Sequence, residues 1–257
     1  VDPEGLLDLP ALEAAITDET AVVSLMWANN ETGVLFPIEQ IAGICQRKGV
    51  PFHCDAVQAV GKEVIDLRGV PVDYLSLSAH KLGGPKGVGA LFVRKGALFS
   101  PYLHGGHQER GRRGGTENVA GIAGLGRAAE VATAAVAGYG RKVGPLRDRL
   151  EQEILSRIEK TERNGHAKCR LANTKNITFH GIDSEALLLL LDQAGICASA
   201  GSACLADADE PSHVVRAMKP TSAASRQMVR FSLGMATTVE EVTQATIAVQ
   251  AAVSRLR

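Results

Sequence analysis

Several signatures are missing from this 257-residue sequence, and each absence removes a class of function. There is no G-x-G-x-x-G and no G-x-x-x-x-G-K-[ST], so nucleotide binding has weak support, although Gly83-Gly84-Pro85-Lys86-Gly87 superficially resembles a phosphate loop. No C-x-x-C occurs. The five cysteines, Cys45, Cys54, Cys169, Cys197 and Cys204, are odd in number and spaced for neither a disulfide framework nor a zinc finger. Charge of one sign is also lacking: 28 basic residues face 28 acidic ones without a long run of either. That speaks against nucleic acid or a membrane surface as the main partner. Ala186–Leu191, read as the longest apolar run, is far too short to cross a bilayer. No charged-then-apolar signal segment opens the chain, and a reducing cytoplasm is the expected location. There are no internal repeats and no low-complexity tracts.

What is present reads as strand–helix–strand repetition with brief connections, hence an α/β fold with right-handed crossovers. Asp8 is expected to cap a helix over 9–16. The apolar run 21–27 predicts a strand buried on both faces. A helix over 38–47 and strands at 50–54, 72–78 and 90–94 follow. A glycine-rich polar segment, His104–Asn118, precedes a helical stretch from Val119 to about Ile158, expected to break near Gly138-Tyr139-Gly140. Beyond Asn164-Gly165 the spacing predicts strands at 177–180, 196–198 and 228–233, and helices at 184–194, 211–218 and 239–256. Thr238 and Glu241 form a capping box for the last helix. This gives a large domain over 1–137, a connecting helix over 138–163 and a smaller α+β domain over 164–257. The opening Val1-Asp2-Pro3-Glu4-Gly5 lacks methionine and is mid-pattern by Asp8, which reads as the later part of a longer protein.

The chemistry concentrates where two predicted strands end. Asp55 closes Phe52-His53-Cys54-Asp55, and Lys81 follows Ser78-Ala79-His80. Ligands of open α/β sheets sit beyond the carboxyl ends of strands. A lysine amine there can condense with an aldehyde cofactor, while a carboxylate keeps a ring nitrogen protonated. Singly, Asp55 reads as a helix cap and Lys81 as a surface charge; together they read as a cofactor site. Gln58 and Ser78 are placed to hydrogen-bond a cofactor's phenolic oxygen and phosphate respectively.

Cys204 lies among residues too small to build a core, Ala200-Gly201-Ser202-Ala203, and reads as a thiol on an exposed loop. The other four cysteines read as small buried hydrophobes, and a Cys197–Cys204 disulfide ranks low. Arg230, inside the apolar strand Val229–Leu233, needs a partner: a protein carboxylate or, bidentately, a substrate carboxylate. Thr116 would open a helix whose amides suit a phosphate. His104 and His107 lack companions that would make a metal site convincing.

Ala28-Asn29-Asn30-Glu31-Thr32-Gly33, His53–Gln58, Ser78-Ala79-His80-Lys81, Arg110–Asn118, Ser199–Cys204 and Arg230–Gly234 occur in an order that resembles the cysteine desulfurases of the class-V aminotransferase family. Glu210-Pro211-Ser212-His213-Val214 and Gln108–Arg113 make the resemblance strongest to the NifS-like kind that serves nitrogenase cluster assembly. The resemblance runs the whole length of the chain. It implies the type I fold of pyridoxal-phosphate enzymes, with a mostly parallel sheet in the large domain. It further implies that Lys81 carries pyridoxal 5′-phosphate and that Asp55 pairs with its ring nitrogen. Gln58 and Asn30 would contact the cofactor oxygen or the substrate; Ser78 and His80 would bind the phosphate, joined by Thr116 from the neighbouring subunit of a homodimer. Arg230 would hold the carboxylate of L-cysteine. Cys204 would take its sulfur as a persulfide, leaving alanine, and pass it to an iron–sulfur scaffold protein.

The family's upstream third, with its phosphate loop and the histidine that stacks on the cofactor, is absent from this sequence. Two alternatives therefore stand beside the desulfurase: a selenocysteine lyase, and an inactive fragment needing a complementary chain. His107, where many relatives have glycine, and Gly114, where serine or alanine is common, are mild departures.

Overall fold

The structure, a computed structural model, describes residues 1–201 and 211–257. The chain divides into two compact units, neither continuous in sequence. One comprises Leu9–Trp27 and Pro37–Ala137; the other comprises Val1–Asp8, Ala28–Phe36 and Gly138–Arg257.

In the first unit β1 (Val23–Met26), β2 (Phe52–Asp55) and β3 (Tyr74–Ser78) run parallel in that order, and β4 (Gly89–Val93) adds antiparallel to β3. The register pairs Val23 with Phe52 and Asp55 with Ser76. Strand alternation puts Phe52, Cys54 and Leu75 in the core, while His53, Asp55, Ser76 and Ser78 stay half-buried on the other face. The expectation that β1 is buried on both faces fails. It is an edge strand, with Val23 buried and Ser24 exposed. Among the helices, α1 (Leu9–Ala15) precedes β1, and α2 (Ile38–Lys48) buries Ile38, Ile41, Ile44 and Cys45 at helical spacing. Each such side chain is worth roughly 1.5–3 kcal/mol in removal from water. The α2 helix ends because Gly49 takes φ 67°, where it caps the carbonyls of Cys45 and Gln46. Arg94, just past β4, locks that strand down by donating to the carbonyls of Val72, Leu67 and Val70.

The second unit carries an antiparallel sheet, β5 (Thr161–Asn164), β6 (Thr174–Phe179) and β7 (Met228–Ser232), in that order. β5 escaped the sequence reading because Thr-Glu-Arg-Asn offers no apolar alternation. The long helix α3 (Val119–Arg157) contributes to both units. This unit also carries α4 (Ser184–Gln193), α5 (His213–Met218) and α6 (Val239–Leu256). Ile154 of α3 and Ile158 just past its end, Leu187 and Leu191 of α4, and Val249 and Val253 of α6 form one core with Ile177, Phe179 and Val229 of the sheet. Asp183 caps α4 by accepting from the amides of Glu185 and Ala186. The Thr238–Glu241 capping box of α6 forms in both directions.

Four further expectations need correction. The α3 helix does not break at Gly138-Tyr139-Gly140: burial of Tyr139 outweighs the cost of two helical glycines, about 1 kcal/mol each. Residues 196–198 are not a strand; the chain pairs with β7 only at the single bridge Ser199–Arg230. Cys169 and Cys197 are exposed, because both lie in turns rather than in core elements, whereas Cys45 and Cys54 are buried. And Ala186–Leu191 is not the limit of apolarity. By length and composition α3 is the one helix, among the described residues, apolar enough to cross a bilayer, although its apolar stretch is mostly exposed alanine, glycine and valine.

Candidate functional site

The parallel pair β2–β3 places its chemistry at one edge. Asp55 is the last residue of β2, and Ser78 is the last of β3. Because Asp55 is in register with Ser76, Ser78 lies one side-chain repeat further along the same face. The chain then turns through a single 3-10 turn, Ala79–Leu82, which carries His80 and Lys81 and closes on Gly83 at φ 80°. A side chain at Gly83 would be strained by that backbone conformation, so glycine permits the sharp turn that presents Lys81.

Each group keeps capacity for a ligand. Lys81 is exposed, and among the described residues nothing bonds its amine. One Asp55 oxygen, Oδ1, accepts from the Val57 amide at 2.9 Å; that bond starts the turn 56–59 and leaves the other oxygen to accept elsewhere. Ser78 Oγ and His80 Nδ1 lie 2.7 Å apart, a hydroxyl–imidazole pair suited to an anion. Gln58 stands in the turn after β2, and its carbonyl accepts from Lys62 Nζ at 2.8 Å.

Two features escaped the sequence reading. Lys62 is one: burial, followed by repulsion from Lys81, brings its ammonium down to about 8. Its spacing of four from Gln58 was the available signal. The other is a polar row across the sheet. His53 Nδ1 meets Ser24 Oγ at 2.8 Å, and His53 Nε2 meets Ser76 Oγ at 3.1 Å, which ties β1, β2 and β3 together on the face that carries Asp55. The alternation His53-Cys54-Asp55 already implied that His53 and Asp55 share a face.

Not every candidate joins this group. Thr116 is exposed and does not open a helix: α3 starts at Val119, with Asn118 Oδ1 accepting from the Gly121 amide at 3.0 Å. An asparagine is the stronger N-cap, so the helix begins at Val119, where the helical stretch was expected, and Thr116 lies outside it. Glu109 and Arg110, just upstream, both take left-handed conformations (φ 50° and 60°), which marks 108–111 as a strained turn. Asn30 and Arg230 belong to the other unit, where Arg230 Nη1 donates to the Asn30 carbonyl at 2.9 Å. Arg230 also exchanges backbone hydrogen bonds with Ser199 at 2.7 and 3.1 Å. Cys204 lies outside the described residues.

The donor set of the first unit can be tested against pyridoxal 5′-phosphate. An unengaged primary amine suits its aldehyde, a carboxylate with an acceptor to spare suits its ring nitrogen, and the Ser78–His80 pair suits its phosphate. The residues present fit the group.

Comparison with known proteins points the same way. The class-V aminotransferase profile matches residues 1–245. A cysteine desulfurase of Cereibacter sphaeroides is 54% identical over 94% of this chain and 62% of its own length. The cysteine desulfurase NifS of Azotobacter vinelandii is 51% identical over 100% of the chain and 64% of its own length. Among solved structures, a NifS-like protein superposes with a TM-score of 0.91 at 35% identity, over 100% of this chain and 67% of that one. The chain thus spans somewhat under two thirds of the length of these two curated relatives. Class-V aminotransferases and cysteine desulfurases depend on pyridoxal phosphate and share the type I fold, to which the mostly parallel sheet with its helices corresponds. A profile match over nearly the whole sequence, with relatives at about half identity, establishes that this chain belongs to the class-V aminotransferase family.

Proposed function

We propose that this chain is the cofactor-lysine and cysteine-loop portion of a pyridoxal-phosphate-dependent cysteine desulfurase, which converts L-cysteine to L-alanine and leaves a persulfide on Cys204. The observation that carries the reading is the convergence of Asp55, Ser78, His80 and Lys81 at the C-terminal edge of two neighbouring parallel strands. Relatives at about 50% identity named cysteine desulfurase support the reaction class.

Lys81 would hold the cofactor covalently, Asp55 its ring nitrogen, Gln58 and Asn30 its oxygen or the substrate, and Ser78 and His80 its phosphate. Bound, the cofactor supplies an electron sink for cleavage of the substrate's bonds at the α- and β-carbons. The chain's own groups do the rest. The Lys81 amine would be the base that takes the proton from the substrate α-carbon. The Asp55 carboxylate keeps the heterocycle's N–H in place. Arg230 would take the substrate carboxylate. The Cys204 thiolate attacks the substrate sulfur: an S–S bond forms, the C–S bond breaks, and its electron pair stays with the carbon that becomes the methyl of alanine.

The sulfur would pass to an iron–sulfur scaffold protein, with nitrogenase cluster assembly as the proposed setting. We place the enzyme in the cytoplasm as a homodimer in which Thr116 of the partner subunit joins the phosphate site. Exposed Leu91, Phe92, Leu98, Phe99, Tyr102 and Leu103 support a further protein surface on this unit. A second reading, favoured by the share of its relatives' length that the chain spans, is that these residues need additional chain for cofactor binding and turnover.

In the protein carrying the upstream residues, Cys204→Ala should keep the yellow cofactor absorbance while sulfur release from cysteine disappears. Retained release would place the nucleophile elsewhere. The 257 residues alone should yield no alanine from cysteine and cofactor; robust turnover would discard the second reading.

A further inference from the structure

One row of polar side chains crosses the three-stranded sheet of the second unit. Register pairs Asn164 of β5 with Asn176 of β6, and Asn176 with Arg230 of β7, so the three share one face. Asn164 and Asn176 are buried, 1% and 0% exposed. Strands disfavour asparagine, and a buried amide is costly unless it is bonded at both ends.

The bonds of this row run in one direction. Lys219, just past α5, donates from Nζ to Asn164 Oδ1 at 2.9 Å. An ammonium can only donate, so it fixes which end of the Asn164 amide is which. Asn164 Nδ2 then donates to Asn176 Oδ1 and to Thr178 Oγ1, each at 2.8 Å. That turns Asn176 Nδ2 toward the Glu31 carbonyl, to which it donates at 3.3 Å. The cross-strand neighbour Arg230 donates from Nη1 to the Asn30 carbonyl at 2.9 Å. Two adjacent side chains of the sheet thus hold two consecutive carbonyls of one turn, Asn29–Gly33. The turn is itself folded by Asn29 Oδ1, which accepts from the amides of Glu31 and Thr32, each at 2.9 Å.

We propose that Asn176, aimed by Asn164 and Lys219, is a positioning residue for Arg230. It anchors the turn whose Asn30 carbonyl sets the guanidinium, and so sets the affinity of the site for a substrate that carries a carboxylate. This rests on the function proposed above. Asn176 is wholly buried and acts through the turn and Arg230. A guanidinium held at one nitrogen is already oriented when it offers its remaining N–H groups as a fork, so less freedom is lost on binding.

The test uses Asn164→Asp in the cofactor-loaded protein with the upstream residues in place. The new carboxylate only accepts, so it keeps Lys219 but must take its second bond from Asn176 Nδ2. The Asn176 amide then flips, and its oxygen faces the Glu31 carbonyl. Arg230 and the turn are unaltered in sequence. KM for L-cysteine should rise about tenfold to hundredfold, the worth of a hydrogen bond to a charged group, with kcat and cofactor absorbance within about threefold of wild type. Thr178→Val removes the other acceptor of Asn164 Nδ2 without reversing the row, and should keep KM within about twofold. An unchanged KM in Asn164→Asp, an equal rise in Thr178→Val, or a loss that falls on kcat instead would each overturn the proposal. Hydrogen exchange in the cofactor-free protein is a readout independent of turnover. The amides of Thr32 and Gly33 should exchange about tenfold faster in Asn164→Asp, and as in wild type in Thr178→Val. Should Asn164→Asp fail to fold, Lys219→Met, which frees the Asn164 amide to turn over, carries the same test with the same directions. A wild-type protein without desulfurase activity would defeat the function reading; the anchoring of the turn then stands or falls on the exchange pattern.

Discussion

Lys81 and Lys175 stand in opposite circumstances. Lys81 sits exposed at the end of a parallel strand, with nothing bonded to its amine among the described residues. Lys175, in the middle of β6, is almost wholly buried and meets Glu151 Oε2 at 2.5 Å. Around it Arg170 reaches the same carboxylate oxygen at 2.5 Å, Arg163 reaches Oε1 at 3.1 Å, and Asp148 takes up Arg147 and Arg170. Burial would push the Glu151 carboxyl upward, but Lys175 and Arg170 overcome it and bring it down to about 2. The second cluster has its charges spent on one another and holds α3 against β6. At Lys81 the amine has no such partner among the described residues.

That contrast can be broken in graded ways. Removing Glu151 should have the largest effect. Glu151→Ala leaves Lys175 buried without its carboxylate and should cost about 3–5 kcal/mol in urea unfolding, with cofactor absorbance at Lys81 unchanged in the folded protein. A loss below 1 kcal/mol would show that the cluster is not structural. Acid should act on the same group. Because its folded value lies below the ordinary 4.5, the Glu151 contribution is full above that pH and is lost as pH falls toward 2, worth about 3 kcal/mol in all. Stability should therefore fall between pH 4.5 and 2 in the parent and less steeply in Glu151→Ala. At the other site, Asp55→Ala should leave unfolding within about 1 kcal/mol of the parent. It should weaken cofactor retention about tenfold to hundredfold, the worth of one hydrogen bond to a charged group. The smallest effect belongs to the exposed Arg127–Glu130 pair on α3, where Arg127→Ala should change stability by less than about 0.5 kcal/mol.

The two regions also differ in how well the sequence announced them. Asp55 and Lys81 were legible because each follows a short apolar strand directly, and strand ends in a parallel sheet share an edge whatever the details of packing. The Thr238–Glu241 box was legible for the same local reason, since both partners lie within four residues. The Glu151 cluster was not, because its members are scattered over α3, β5, the turn at Arg170 and β6, and only the tertiary fold brings them together. Glu31 was read as part of a punctuating turn, yet its partner Ser212 stands 181 residues away. The start of α3 at Val119 was legible but its capping residue was not, being Asn118 rather than Thr116, and tertiary burial of Tyr139 carries the helix through two glycines.

Borohydride reduction of the cofactor-loaded protein, with the upstream residues in place, followed by mass mapping of the modified peptide, tests the central claim most directly. A single pyridoxyl group on Lys81, lost in Lys81→Arg, is the result predicted. A pyridoxyl group on Lys62, or on no lysine of this chain, would contradict it.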